Sequence, residues 1–386
     1  MLIFLGIFIL VIAIWGTYLG FRLVKPLALS PSWTKVLWAL LYLPLLVPPI
    51  FFLRRNLDNE ALSQFLEVTV LTSLAFYSFL LGLALLRDTT GMLLYSLSKI
   101  LKKPDLALFS SDQILKSSCL TIIGASVLMI GLGLFNALSI PGIKEVEVPV
   151  TGLHPDLDGF RIVQLTDLHV DELKRKRYFE EITRAVTGIN PDITVITGDL
   201  ADGSIETCSP RTEPLRGLPE ETYFITGNHD YYAGYENWIK HTASLGFRIL
   251  LDEYTVIERG SARILLAGVT DPAATGLFPD RPRGVEVAVQ GAPATDFRIL
   301  LAHQPKEIYD AEKFGFDLQL SGHTHGGQFF PWNYVIGFFH PYVKGLNRHG
   351  NMWIYVSQGT GFWGPPIRLG TSSEITLLTL RRIHSN

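Results

Sequence analysis

Apolar and polar positions divide this chain into two textures. Up to about residue 140 the apolar residues come in long runs: Leu2–Phe21 without a single charge, Val36–Leu53 interrupted by Pro44, Pro48 and Pro49, Val68–Leu86, and Ser117–Leu138. About 20 consecutive apolar residues cross a bilayer core, and spanning helices tolerate proline better than soluble ones do. Four such runs in succession predict four membrane-spanning helices rather than four buried core helices. The first run lacks a basic leading segment and an A-x-A-like cleavage site, so it is read as a retained span and not as an export signal. Gly91–Ile100 is too short to span and is predicted as a separate interfacial or cytoplasmic helix.

From Pro141 the runs shorten. Phe160–Thr166, Asp192–Thr197, Thr222–Thr226, Arg263–Val269, Phe297–Ala302, Leu318–Leu320, Trp353–Val356 and Glu374–Leu380 are rich in β-branched and aromatic residues and are bounded by Gly, Pro, Asp or Asn. That pattern predicts strands. Lys174–Thr187 and Tyr235–Leu245 have helical periodicity, so residues 141–386 are expected to form an α/β domain following a helical membrane region at 1–140.

Composition sharpens this picture in two places. Hydrophobic residues make up 48% of the 386 and charged residues only 18%, which excludes a disordered chain. Two cysteines, Cys119 and Cys208, exclude a disulfide framework or a Cys-rich zinc module. The first 140 residues carry ten Lys and Arg against six Asp and Glu, whereas the remainder carries 23 against 30. A domain of net charge about −7 lacks the basic stripe of a nucleic-acid binder, so no nucleic-acid partner is expected. Lys and Arg near span ends stay on the cytoplasmic side. Arg22, Lys25 and Lys35 follow the first run and Arg87, Lys99, Lys102, Lys103 and Lys116 follow the third, against only Arg54 and Arg55 after the second. With four spans, both the N-terminus and the α/β domain are then expected outside the cytoplasm.

Metal-competent residues recur just after the predicted strands. Asp167 and His169 follow the first, Asp199 and Asp202 the second, Asn228, His229 and Asp230 the third, His303 the fifth, and His323 and His325 the sixth. Each fragment alone has an ordinary reading as a turn, a helix cap or a core histidine. Together they are expected to converge, because ligands in α/β folds gather at the carboxyl ends of strands.

In order, these residues give D-x-H, G-D-x-x-D, G-N-H-D, a lone His after a strand, and G-H-x-H. In this the chain resembles the calcineurin-like metallophosphoesterases, and within them the membrane-anchored bacterial branch similar to YaeI and YkuE. Thr324–Gln328 (THGGQ) and the tail Gly359–Leu380 also match that branch. The resemblance covers the chain from about Glu147 and does not cover the first 140 residues, whose four spans are more elaborate than the branch's single anchor. It implies a four-layer α/β/β/α sandwich, a bacterial inner-membrane location and two divalent metal ions. Asp167, His169 and His325 would hold one, Asn228, His303 and His323 the other, and Asp199 would bridge them. Mixed imidazole and carboxylate donors suit Mn, Fe or Zn. His229 would donate a proton to the leaving oxygen, with Asp202 orienting it. Arg368 is a candidate phosphate ligand, by its capacity for forked hydrogen bonding.

The expected activity is hydrolysis of a phosphoric ester, of phosphodiesterase or pyrophosphatase type, on a lipid-linked or nucleotide-diphosphate substrate. The aromatic run Phe329–Tyr342 is either an interfacial surface or a cover for the core. A catalytically inactive phosphoesterase-fold scaffold is the alternative, and the complete set of polar residues weighs against it. A channel is disfavoured because almost no ionisable residue lies inside the predicted spans.

Overall fold

The computed structural model describes residues 2–49, 60–103 and 112–383. Arg54, Arg55 and the end of the second apolar run, residues 50–53, lie outside the described residues. The chain forms two compact units: Met1–Phe135 with Phe329–Pro331 and Gly364–Leu369, and Asn136–Gln328 with Trp332–Trp363 and Gly370–Asn386. The boundary expected at 140/141 therefore omits two short returns of the chain to the first unit.

The first unit contains α1 (Leu2–Leu19), α2 (Pro31–Leu41), α3 (Glu60–Ile100) and α4 (Asp112–Leu138). Among the described residues, three stretches are long and apolar enough to cross a membrane: Leu5–Leu27, Gln64–Ile100 and Asp112–Leu138. The second apolar run instead begins with α2, whose 11 residues are too few to cross alone at about 1.5 Å per residue, and continues into a tighter turn at Leu43–Leu46. Gly91–Ile100 is not a separate helix but the last part of α3. The helix runs on through Arg87 and Asp88 because the two residues find partners. Asp88 accepts hydrogen bonds from Arg22 Nε at 2.6 Å, Arg22 Nη2 at 2.8 Å, Tyr18 Oη at 2.7 Å and Arg87 Nε at 2.8 Å.

These contacts fix helix directions. Ile12 O accepts from the Tyr77 hydroxyl at 3.1 Å, and Arg22, ten residues on, meets Asp88, eleven residues on. Hence α1 and α3 run parallel. Cys119, near the start of α4, lies 3.3 Å from Arg87 Nη1, while Met129, Ile130 and Leu134 pack around Ala75 and Phe79, so α4 runs antiparallel to α3. Phe329, Phe330 and Ile367 pack in the same cluster. Gly82 and Gly133 make room for them, since a Cβ there would sit 2.5 Å from the Phe330 ring and 2.6 Å from Ile367 Cγ2.

The second unit is built on two six-stranded sheets. With β1 (Gly142–Thr151), β2 (Arg161–Leu165), β3 (Ile193–Thr197), β4 (Thr222–Ile225), β5 (Arg248–Ile249) and β12 (Glu374–Ile383), the first has the order β1-β12-β2-β3-β4-β5. The second comprises β6 (Glu253–Arg259), β7 (Ala262–Gly268), β8 (Phe297–Leu301), β9 (Leu318–Ser321), β10 (Gly345–His349) and β11 (Met352–Val356) in the order β10-β11-β9-β8-β7-β6. Side chains alternate between faces along a strand, and the alternation here builds three apolar layers. Ile162, Val195, Tyr223 and Ile225 meet Ile264, Leu266, Ile299, Leu301 and Tyr355 between the sheets. Val163, Leu165, Ile196 and Phe224 face the helices α5 (Lys176–Ile189) and α6 (Tyr235–Ser244) through Phe179, Ile182, Val186 and Trp238. Leu265, Leu300, Ile354 and Val356 are covered on the far side by Val285, Ala288, Ile308 and Ala311. The architecture is the expected α/β/β/α sandwich. Because β2, β3 and β4 are parallel, as are β7, β8, β9 and β11, the carboxyl ends within each set share one edge.

Candidate metal centre

The loops leaving β2, β3, β4, β8 and β9 carry the polar residues singled out in the sequence, and the fold brings them together. Among the described residues, three groups of donors have their atoms within 4.8 Å of one another: Asp167, His169 and His325; Asp199, His303 and His323; and His169, Asp199 and His229. In the first, His325 Nε2 lies 3.2 Å from Asp167 Oδ1 and 3.1 Å from His169 Nε2. In the second, His303 Nε2 lies 3.1 Å from Asp199 Oδ2 and 3.3 Å from His323 Nδ1. The same Asp199 oxygen is 3.6 Å from His169 Nε2, so one carboxylate atom faces both groups.

Local backbone geometry is bent to this end. Asp167, His169, Asp199, His323 and His325 all have φ between 43° and 71°, a left-handed region that non-glycine residues enter at a cost and that concentrates at functional sites. Two glycines allow the close approach. A Cβ on Gly322 would collide with Asp167 Oδ2 and Thr166 Oγ1, and one on Gly227 with Asp199 Oδ1.

Hydrogen bonds orient the donors from behind. Asp167 accepts from Thr166 Oγ1 at 2.8 Å and from His323 N at 3.1 Å; Asp199 Oδ1 accepts from His229 N at 2.8 Å. His303 Nδ1 lies 2.8 Å from Thr197 O, and since a carbonyl only accepts, Nδ1 carries a hydrogen and Nε2 is the nitrogen turned toward Asp199 Oδ2. Asp230 is a buried residue whose structural weight was not apparent from its place in the motif. Its carboxylate accepts from Gly227 N at 2.8 Å, Asp199 N at 3.0 Å and Ala201 N at 3.0 Å, tying the loops after β3 and β4 together. Burial, and then the Asp199 charge, push Asp230 up to about 7.

The donor set fits divalent metal. Asn228 Oδ1 is buried without a hydrogen-bond partner, a neutral acceptor awaiting a cation. Burial and neighbouring histidines hold His169 and His323 well below the ordinary imidazole range, which keeps their rings neutral, the form in which imidazole binds a metal. Burial opposes ionisation of Asp167, yet His325 and His303 hold it low. Pairs of imidazole nitrogens aimed at one another, beside carboxylate oxygens, are the arrangement a cation resolves.

His229 occupies a different environment. Its Nδ1 lies 2.9 Å from Asp202 Oδ1, and its ring meets His169 edge-on at 4.7 Å. Burial works to lower its pKa, but the Asp202 hydrogen bond and the charges of Asp199 and Asp202 raise it on balance. Three flanking residues went unrecognised in the sequence. His340 places its ring 5.2 Å from that of His323; Tyr232 and Trp363 place theirs 5.5 and 5.6 Å from His229. For Tyr232 the spacing from His229 on one helical turn was the available signal; His340 and Trp363 come from distant loops and left none. Arg368 belongs to the first unit, where it is fully buried and its backbone N–H donates to Gly133 O at 2.9 Å.

A family model described as calcineurin-like phosphoesterase matches residues 160–327. An uncharacterized metallophosphoesterase of Campylobacter jejuni is 31% identical over 390 residues, covering 98% of each chain. A transmembrane protein with metallophosphoesterase domain from Danio rerio is 36% identical over 69% of this chain, which spans 63% of that relative's length. The metallophosphoesterase YkuE of Bacillus subtilis is 28% identical over 58% of this chain and 80% of its own. With donors on five strand ends and a relative alike from end to end, the chain belongs to the calcineurin-like metallophosphoesterases.

Proposed function

We propose that this protein hydrolyses phosphoric esters, as a phosphodiesterase or pyrophosphatase, at a dinuclear metal centre. The observation that carries this is Asp199 Oδ2, 3.1 Å from His303 Nε2 and 3.6 Å from His169 Nε2, in reach of both donor groups. Asp167, His169 and His325 would hold one ion, Asn228, His303 and His323 would hold the other, and Asp199 would serve both. Two divalent ions, when bound, polarise the phosphoryl oxygens and lower the pKa of an attacking water. The protein's part is orientation and proton supply. Asp202 accepts the Nδ1 proton of His229, which leaves Nε2 as the atom that delivers a proton to the leaving oxygen. The raised pKa of His229 favours the protonated form such a donor needs. Activity on bis-p-nitrophenyl phosphate with Mn²⁺, abolished by chelator, tests the reading; activity indifferent to chelation overturns it.

The catalytic unit is placed outside the cytoplasm in this proposal. Lys99, Lys102, Lys103 and Lys116 precede or open α4, so α4 starts inside and ends outside. Parallel α1 and α3 require the chain between them to return across the bilayer, which supports the second apolar run as a crossing. The substrate is proposed to be lipid-linked or a nucleotide diphosphate. Trp332, Tyr334, Phe338 and Phe339 are 49%, 73%, 86% and 74% exposed, an aromatic surface suited to the headgroup region and the support for a lipid-linked substrate.

A further inference from the structure

His229 is flanked by two large aromatic side chains that the fold leaves uncovered. Tyr232 is 67% exposed and Trp363 51% exposed, yet each ring stands edge-on to the His229 imidazole, at interplanar angles of 68° and 69°. Rings this size bury readily when nothing holds them out, and here both are held.

Tyr232 is fixed by helical spacing. It closes the short helix Asn228–Tyr232 three residues after His229, on the same face. Trp363 is fixed by its backbone: its N–H donates to Gln328 Oε1 at 2.9 Å, and its carbonyl accepts from Gln328 Nε2 at 2.8 Å. Gln328 is itself buried and left-handed, with φ at 57°, so strained backbone is retained at the residue that grips Trp363. The preceding residue is pinned as well. Phe362 is buried beneath Lys174, whose Nζ lies 3.8 Å from the ring centroid and donates to Phe362 O at 3.2 Å and to His169 O at 2.6 Å. A buried lysine is costly unless its partners are complete. Here its partners join the loop bearing a candidate metal ligand to the loop bearing Trp363.

We propose that Tyr232 and Trp363 form a leaving-group subsite that selects phosphoesters carrying a flat aromatic moiety, an aryl or nucleoside group. The subsite rests on the phosphoester reading above and deepens it. If His229 Nε2 serves the leaving oxygen, the group attached to that oxygen meets these two rings. Stacking on a preformed ring is tolerant of which base or aryl group is offered, because each presents a π-face. It discriminates against leaving groups without one.

The test measures binding, so that it stands apart from turnover. Full-length protein loaded with Mn²⁺ is titrated calorimetrically with adenosine 5′-monophosphate and with glycerol 3-phosphate. Parent protein is expected to bind the nucleotide about tenfold more tightly. Trp363→Ala and Tyr232→Ala are expected to remove most of that preference at unchanged metal content, and Trp363→Phe to retain most of it. Equal affinity of the parent for the two ligands overturns the subsite, as does a Trp363→Phe or Tyr232→Ala variant that weakens both ligands alike. Failure of the hydrolase reading shows up separately, as absence of diester turnover in a protein that still prefers the nucleotide.

Discussion

Asp202 Oδ1 lies 2.9 Å from His229 Nδ1, and the other oxygen of the same carboxylate lies 3.7 Å from Nδ1 of His169. One side chain thus faces both the proposed proton donor and a proposed metal ligand, which makes their roles separable by mutation. His229→Ala is expected to keep most of its bound metal and to lose turnover by roughly 10²–10⁴-fold. Asp202→Asn is expected to lose less, about 10–100-fold, because it misorients His229 without removing it. Metal analysis beside kcat on a diester decides the matter. A His229 variant emptied of both metals would return that residue to the ligand set.

Asp199→Ala should instead remove metal and turnover together, since both donor groups share it. Gly227→Ala is the subtler counterpart. It deletes no donor, but its Cβ must occupy space held by the Asp199 carboxylate. Metal affinity is expected to fall at least about tenfold with little change in helix and sheet content. Circular dichroism and metal titration on the same sample check both halves; unaltered affinity would show that the Asp199 position is soft.

Legibility in the sequence followed burial. All eight strands read from the chain lie in the interior of the two sheets, and those missed, β1, β5, β6 and β10, are the four edges. An edge strand presents one side to solvent, so it carries polar residues that blur the apolar signature. In Gly142–Thr151, Lys144, Glu145 and Glu147 interrupt the valines, and only Val148 is fully buried. The donors were legible because each follows an interior strand, whose end is sharply marked. The flanking rings of Trp363 and His340 were not, because loop positions carry no periodicity and their neighbours are 134 and 17 residues away in sequence. Helix continuity through Arg87 and Asp88 failed for a related reason. Charges read as a span end until Arg22 and Tyr18 are seen to satisfy them.

The Asp88 network predicts a stability effect confined to the helical unit. Asp88→Ala leaves Arg87, only 12% exposed at its side chain, without its carboxylate. Removing one partner of a buried pair costs about 3–5 kcal/mol, and the partial exposure of Arg22 places this case toward the lower end. Thermal unfolding in detergent should move to lower temperature, while diester turnover per folded molecule stays within twofold. An unshifted transition would mean that solvent or lipid already screens the cluster.

Topology supplies the next expectation. A reporter active only after export, fused after Asn386, a residue outside the described ones, should be active if α4 ends outside. Replacing Lys99, Lys102 and Lys103 together with Glu should lower that activity, because the inside loop before α4 is what orients it. Full activity of a cytoplasm-only reporter at the same position would put the catalytic unit inside and change its substrate pool to cytosolic.

The exposed aromatic segment supports a lipid-linked substrate and allows a direct test of it. Phe329 is only 7% exposed and belongs with Phe79 in the apolar cluster of the first unit, so the aromatic run of the sequence is divided: its start packs inward. Its continuation does not. Phe338 and Phe339, 86% and 74% exposed, present more bare ring than a water-facing surface ordinarily tolerates, and Trp332 and Tyr334 stand with them. Because Trp and Tyr prefer the headgroup region, this segment is expected to hold an amphiphile's apolar part while its phosphate meets the metal donors. Trp332→Ala/Tyr334→Ala should therefore lose at least about fivefold in kcat/KM on a phospholipid-like diester in mixed micelles, the equivalent of about 1 kcal/mol of lost burial. On a soluble aryl diester the same variant should stay within twofold of the parent. Equal loss on both substrates would make the segment structural, and no loss on either would detach it from the substrate altogether.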